Sequence, residues 1–153
     1  GEDGAFEYLK AINPNIQTYT QSGTAPSGAL GVGETPIAIQ FTPGFLKLAD
    51  EGYPVEVVFP SEGVGYEVAS MSILKGAKDL DDAKKLVDWM TSKDGQGALS
   101  ATKTYFLPIR SDVSGGTGVP ALDKIKLVSS DPKFAAENKK RLIDRWTKDV
   151  LGQ

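Results

Sequence analysis

The chain has 153 residues, 40% hydrophobic and 24% charged, with a net charge of −3; that length supports one domain with its own core, and the mild acidity gives it no basic face for nucleic acid or an anionic membrane surface. It contains no cysteine and no histidine, which excludes disulfides, thiolate metal sites and any Ser-His-Asp or Cys-His arrangement within the chain. No apolar run reaches the roughly 18 residues of a membrane span and no secretory leader is recognisable; the opening "GEDGAFEYLKAINP" reads as the middle of a helix, the expectation for a fragment or trimmed chain.

Residues 3–12 predict a short helix with Phe6 and Leu9 on one face, stopped at Asn13-Pro14. Residues 16–19 predict a short strand. In "TQSGTAPSGALGVGE", Ser22 or Thr24 caps a helix starting near Ala25, with Pro26 in its first turn, where a missing N–H costs nothing, and Gly31 and Gly33 ending it. "TPIAIQF", residues 35–41, predicts a buried strand; residues 44–50 predict a helix closed by Gly52, and residues 55–59 another strand. This spacing suits a parallel α/β layer. Residues 66–74 predict a further strand. The clearest helix is "LDDAKKLVDWMTS": Leu80, Ala83, Leu86, Val87 and Met90 make a stripe at helical period, Asp79 is placed to cap it, and Asp81 and Asp82 lie where the helix dipole favours them. Then come a short helix over 93–101, extended "YFLPIRSDV", a flexible "SGGTGVP", a short helix over 119–127 and a last helix over 132–151 with Phe134, Leu142, Trp146 and Val150 on its apolar side.

Three stretches are candidates for a ligand site, each competing with a plainer reading. At "SGTAP", backbone N–H groups of a helix start beside the hydroxyls of Ser22 and Thr24 would suit a phosphate, phosphonate or carboxylate; the plainer reading is a helix cap. "FTPG", residues 41–44, lies at the end of a predicted central strand, where ligands collect in open α/β sheets, and Thr42 could donate a hydrogen bond there; the alternative is an ordinary turn. In "PSEGVGYE", Glu62 follows a strand end between small residues and could accept from sugar hydroxyls or pair with an amine, with Tyr66 as a platform; the alternatives are a solvated loop charge and a core aromatic. Glu62 and Glu67 invite a paired-carboxylate reading, a weak one because glycosidases need defined separations that a sequence does not show. The glycines of "GALGVGE" do not have the spacing of a dinucleotide fingerprint, and Lys124-Ile125-Lys126 and Lys139-Lys140-Arg141 read as solvated faces.

The order of "GEDGAFEYLKAINPNIQTYTQSGTAPSGALGVGE", "PVEVVFPSEGVGYEVASMSILKGAKDLDDAKKLVDWMTSKDGQ" and "FLPIRSDV" closely resembles the later half of bacterial extracellular solute-binding proteins, the type 2 periplasmic receptors of ABC importers, in the ferric-binding-protein-like branch that includes receptors for iron, sugar phosphates and phosphonates. The resemblance implies an α/β fold, the C-terminal part of a two-lobed receptor with a mixed sheet flanked by helices. It implies that residues 1–59 belong to the second lobe, that 60–109 cross the hinge and complete part of the first, and that 110–153 return to the second. It implies a non-enzymatic protein that captures a small, anionic solute by clamshell closure and hands it to a membrane permease. Ser22, Gly23, Thr24, Thr42, Glu62 and Tyr66 would contact the ligand, with no cofactor and no resident metal. The expected location is periplasmic or extracellular, free or lipid-anchored. Iron-binding members use adjacent tyrosines, whereas Tyr8, Tyr19, Tyr53, Tyr66 and Tyr105 stand apart; sugar-phosphate receptors often carry a His-Asp pair where Pro43 and Gly44 stand. Such receptors are roughly twice this length, so the expected partners include an absent first half or a swapped dimer mate. An effector-binding domain of a transcription regulator, or a ferric-ion receptor, is the alternative.

Overall fold

The computed structural model describes the backbone of residues 1–153 and every side chain but that of Leu122. Six helices follow one another: α1 (Glu2–Ile12), α2 (Ala25–Gly31), α3 (Thr42–Asp50), α4 (Leu80–Thr91), α5 (Lys93–Ala101) and α6 (Pro132–Asp149), with single 3-10 turns at Asn13–Asn15 and Leu122–Lys124. None of these helices is long and apolar enough to cross a membrane.

The chain divides into two compact units, Gly1–Gln21 with Ser129–Gln153, and Ser22–Val128. In the first, α1 lies on α6. Glu2 and Asp3 sit in the first turn of α1, where the dipole favours acids, and α6 answers with two arginines. Arg141 grips Glu2 through both nitrogens at 2.7 and 2.8 Å. Arg145 reaches Glu2 at 2.6 Å and Asp3 at 2.7 Å while its guanidinium lies 4.1 Å over the ring of the buried Phe6. Asn13 Nδ2 donates to the carbonyl of Val150 and Tyr19 meets Trp146 edge-on at 5.2 Å, so the start and end of the chain close one small core. Asp131 caps α6 by accepting from the Phe134 N–H at 3.0 Å.

In the second unit α2 packs on α3 and α4 on α5. Ser92 ends α4 and starts α5: its Oγ donates to the Trp89 carbonyl at 2.6 Å and accepts from the Gly95 N–H at 3.2 Å. Gln96, itself buried, donates to the Met90 carbonyl at 2.8 Å and accepts from the Ile109 N–H at 3.0 Å, tying the outgoing segment to the helix pair. At the far end of α3, Asp50 accepts from Lys103 Nζ and from the buried Tyr105 hydroxyl, both at 2.7 Å. Lys103 and Tyr105 both have left-handed backbones, φ 55° and 58°, a conformation that costs a non-glycine residue energy and persists only where side-chain contacts hold it.

Here the expected fold class is corrected. The α/β architecture of a type 2 receptor, with a mixed sheet flanked by helices, is not what the structure shows: among the described residues there is no strand of a sheet, only an isolated parallel bridge between Val64 and Leu127. The residues predicted as strands over 35–41, 55–59 and 66–74 are extended but unpaired. A strand exists by exchanging N–H and C=O groups with a neighbour, and no backbone–backbone hydrogen bond among the described residues joins 36–41, 56–59 or 65–73 to another segment. The period of two survives without the ladder. Ala38 and Gln40 are half-buried while Ile37 and Ile39 are 78% and 80% exposed. Residues 16–19 form no strand either, and the helix expected over 119–127 is reduced to Leu122–Lys124. The α4 stripe forms at helical period but stays open, with Leu86 57% exposed, and Asp79 occupies the N-cap position without its side chain bonding the helix.

Candidate functional site

The chemistry most suited to a small solute lies where the turn before α2 meets the start of α3. Ser22 Oγ and Thr24 Oγ1 are 3.1 Å apart, and the Thr24 N–H donates to Ser22 Oγ at 3.3 Å. A Cβ on Gly23 would stand 3.7 Å from the Phe41 ring, which places this turn beside the residue that precedes Thr42. Four of the predicted ligand residues, Ser22, Gly23, Thr24 and Thr42, therefore share one neighbourhood.

The donors there differ from the expectation. At the start of α2 the Ala25 N–H goes to the Ser22 carbonyl at 3.4 Å, Pro26 has no N–H, and the Ser27 N–H goes to Gln40 Oε1 at 2.8 Å. That helix start offers hydroxyls rather than free backbone donors. The start of α3 offers the backbone donors instead: Phe41 supplies no side-chain cap, Pro43 has no N–H, and the first-turn N–H groups of Thr42 and Gly44 have no intrahelical acceptor. No acid lies in that first turn, so no side-chain charge within it offsets the positive end of the helix dipole.

Gln40 and Ser27 were not singled out from the sequence, and together with Gly44 they set this geometry. Gln40 is the one side chain of "PIAIQF" that can hydrogen-bond, and that is the signal that could have found it. Its amide staples α2 to the approach of α3, while Ser27 Oγ donates to the Thr24 carbonyl at 2.9 Å and fixes the turn. A side chain at Gly44 would collide with Gln40 Nε2 and Ser27 Oγ.

Glu62 and Tyr66 belong to a different turn, the one that follows Pro60. Glu62 Oε2 accepts from its neighbour Ser61 at 3.3 Å. Its turn is pinned from behind: the Gly63 N–H closes on the Pro60 carbonyl, Val64 exchanges hydrogen bonds with Lys126 and Val128, and Gly63, at φ 119°, sits so close to Lys126 and Val128 that a side chain would not fit. Glu62 is held outward into solvent by that turn, and Tyr66 is exposed beyond it.

Two surface hollows stand apart from these residues. One of about 470 Å³ runs along α5, lined by Lys93, Asp94, Ser100 and Asp112 among others; Asp112 is already paired with Arg110 at 2.8 Å, which holds its carboxyl below the usual range. The other, about 300 Å³, is apolar and lies between residues 71–77 and α4. Among the described residues no three acidic, histidine or cysteine side chains gather to hold a metal ion.

Comparison with known proteins places the chain in a family. Residues 1–136 match the model of the bacterial extracellular solute-binding proteins. The chain is 40% identical to an uncharacterised protein of Haemophilus influenzae over 98% of its own length and 44% of that protein's, and 26% identical to the spermidine/putrescine-binding periplasmic protein of Salmonella typhimurium over 69% of its length and 30% of that protein's. Its backbone superposes with a TM-score of 0.86, at 37% identity, on the periplasmic binding protein AfuA of Actinobacillus pleuropneumoniae with exogenous fructose-6-phosphate bound, and with 0.83, at 33% identity, on the periplasmic binding protein P5PA; each match covers 98% of this chain and 48% of the other. The chain thus spans about half the length of these two structures or less of the curated relatives. It belongs to the bacterial extracellular solute-binding proteins, a non-enzymatic family of the periplasm or the cell exterior.

Proposed function

We propose that this chain carries part of the binding site of an importer's receptor for a small phosphate-bearing solute, delivered to a membrane permease. The observation that carries the reading is the start of α3: two first-turn N–H groups and the Thr42 hydroxyl, with no acid in that turn, beside the paired hydroxyls of Ser22 and Thr24. Backbone donors at a helix N-terminus with hydroxyls around them suit a phosphate dianion. The bound sugar phosphate of AfuA, 37% identical over nearly the whole chain, points to the same ligand class. Closure of the lobes assigned to 1–59 with 110–153 and to 60–109 over the ligand, stabilised by contacts from both, is part of this reading.

A second reading has one observation in its favour. From Pro54 to Leu74 the chain carries Glu56, Glu62 and Glu67 and neither lysine nor arginine, which suits a polyamine like those named for the Salmonella relative. One titration separates the two. Fructose 6-phosphate, inorganic phosphate, fructose and putrescine are added in turn while the amide resonances of Gly23, Thr24, Thr42 and Gly44 are followed. The phosphate reading expects both phosphates to shift these amides, fructose to leave them in place, and Thr42→Ala to weaken the effect about tenfold. Shifts caused by putrescine alone, centred on residues 56–67, would replace it with the polyamine reading. Phosphate binding that Thr24→Ala and Thr42→Ala leave unchanged would move the site away from α3.

A further inference from the structure

The unit Ser22–Val128 holds two helix pairs with little between them. α2 packs on α3 and α4 on α5, and no helix of one pair packs on a helix of the other. Among the described residues, the hydrogen bonds that join 25–53 to 80–109 both end on Asp50, the last residue of α3. Their donors are Lys103 Nζ and the Tyr105 hydroxyl, each at 2.7 Å. Asp50 stands about 12 Å along α3 from Thr42, so this joint is separate from the candidate anion donors.

The segment that reaches Asp50 is fastened on both sides and strained between. The Leu99 carbonyl accepts from the Thr102 and Thr104 hydroxyls at 2.8 and 3.0 Å, and Gln96 holds the Ile109 N–H. Within that span Lys103 and Tyr105 have φ values of 55° and 58°, left-handed backbone that is unfavourable for any side chain and a clear outlier for one as bulky as tyrosine. Strain of this kind persists where surrounding contacts over-determine it, and here the hold is modest. The Lys103 side chain is 69% exposed, so its ion pair contributes little. Most of the hold falls to the charge-assisted bond from the buried Tyr105. Lys103 and then Tyr105 keep the Asp50 carboxyl below its usual range, and Asp50 in turn raises the Tyr105 phenol. Two strained residues set against one strong bond leave the fastened form a small margin.

We infer that residues 102–105 are a strap latched by Asp50, whose release lets the α4–α5 pair part from the α2–α3 pair without unfolding either. In the released form Lys103 and Tyr105 return to negative φ and the Tyr105 ring leaves its buried position. Each helix pair keeps its own ties, because the Ser27–Gln40 bond on one side and the bonds of Ser92 and Gln96 on the other do not pass through Asp50. Asp50 is therefore a positioning residue that acts through Lys103 and Tyr105. The inference rests on hydrogen bonds and backbone conformation and is independent of the phosphate reading.

Nuclear magnetic resonance on the whole chain, with no ligand present, tests it. At positive φ the amide and α protons of one residue lie close together and give a strong Overhauser effect. The parent should show that signature at Lys103 and Tyr105, with the Tyr105 ring shielded from a dissolved nitroxide. The released population is read by relaxation dispersion at residues 102–105. Asp50→Ala should raise it about tenfold or more, weaken both Overhauser effects and expose the ring, while amides inside α3 and α5 exchange at the parent's rates. In that background Lys103 has no bond to Asp50 left to lose, so Lys103→Gly removes strain alone and should lower the released population about threefold or more. Left-handed signatures and a shielded ring that persist in Asp50→Ala would overturn the latch. Loss of protection in α3 and α5 in step with the strap would overturn it too, since the joint would then belong to one cooperative fold. A released population that Lys103→Gly does not lower would remove strain as the driving force and overturn the inference as well.

Discussion

Two glycines in one short helix test whether the packing of α4 on α5 is set by backbone approach. Gly95 and Gly97 both lie inside α5, and on propensity alone alanine at either would stabilise the helix by about 0.5–1 kcal/mol. Their surroundings differ. A Cβ at Gly97 would meet nothing within 4 Å, whereas one at Gly95 would fall on the Trp89 carbonyl oxygen, with the Trp89 carbonyl carbon at 2.9 Å and the Met90 Cα at 3.0 Å. Those atoms are backbone and cannot rotate away, so the helices must part. Parting them strains the Ser92–Gly95 and Gln96–Met90 hydrogen bonds, at 3.2 and 2.8 Å. Overpacking of this kind costs about 1–3 kcal/mol; the propensity gain is common to both variants and cancels, so they should differ by about 1–3 kcal/mol. Urea unfolding followed by far-ultraviolet circular dichroism reads the difference, with Gly97→Ala at a higher midpoint than the parent and Gly95→Ala at a lower one. If Gly95→Ala were as stable as Gly97→Ala, the close approach of the helices would not be what determines their packing.

Three further outcomes follow from named contacts. The hydrogen bonds from Lys103 and Tyr105 hold the Asp50 carboxyl below the ordinary carboxylate range. Their stabilisation is therefore present above the unfolded carboxyl's pKa, about 3.9, and is lost as pH falls through the lower folded value. The melting temperatures of the parent and Asp50→Asn should differ at neutral pH and converge in acid; a gap that persists below the folded value would exclude the carboxylate as its source. Arg141 and then Arg145 pull Glu2 from 4.5 to about 2, so its side-chain carboxyl carbon should titrate near 2 by nuclear magnetic resonance and return toward 4.5 in Arg141→Ala/Arg145→Ala. A midpoint near 4.5 in the parent would mean that the ion pairs between α1 and α6 are not formed in solution. Gln40→Ala leaves the Ser27 N–H without its acceptor, a loss of about 1–3 kcal/mol, and should shift the Gly23 and Thr24 amides; unmoved amides would show that the staple does not position the turn.

Local structure was legible wherever one segment contains its own reasons. α1, α2, α3, α5 and α6 begin and end within a few residues of their expected bounds, although neither Thr24 at the start of α2 nor Asp79 at the start of α4 caps its helix through the side chain. The strands were not legible in the same sense. Alternation in "TPIAIQF" specifies which side chains share a face, and Ile37 and Ile39 do share one, but it cannot supply the neighbouring segment whose N–H and C=O groups would make a ladder. The candidate site was partly legible. Hydroxyls and glycine near a helix start marked Ser22, Gly23, Thr24 and Thr42, while the partners that consume the α2 donors, above all Gln40 thirteen residues beyond Ser27, are joined through space and leave only a weak trace in the sequence.

By itself, the sequence determined the function classes open to this protein, since a chain without cysteine or histidine and with a net charge of −3 cannot build thiol or imidazole chemistry or a basic nucleic-acid face, and it determined the helices, whose hydrogen bonds close within four residues. The tertiary structure alone decided which partners the α2 donors take, that the turn of Glu62 is pinned from behind by Lys126 and Val128, and that the extended segments remain unpaired with their apolar side chains in solvent. Those outcomes depend on groups far apart in the chain, and no local pattern of residues encodes them.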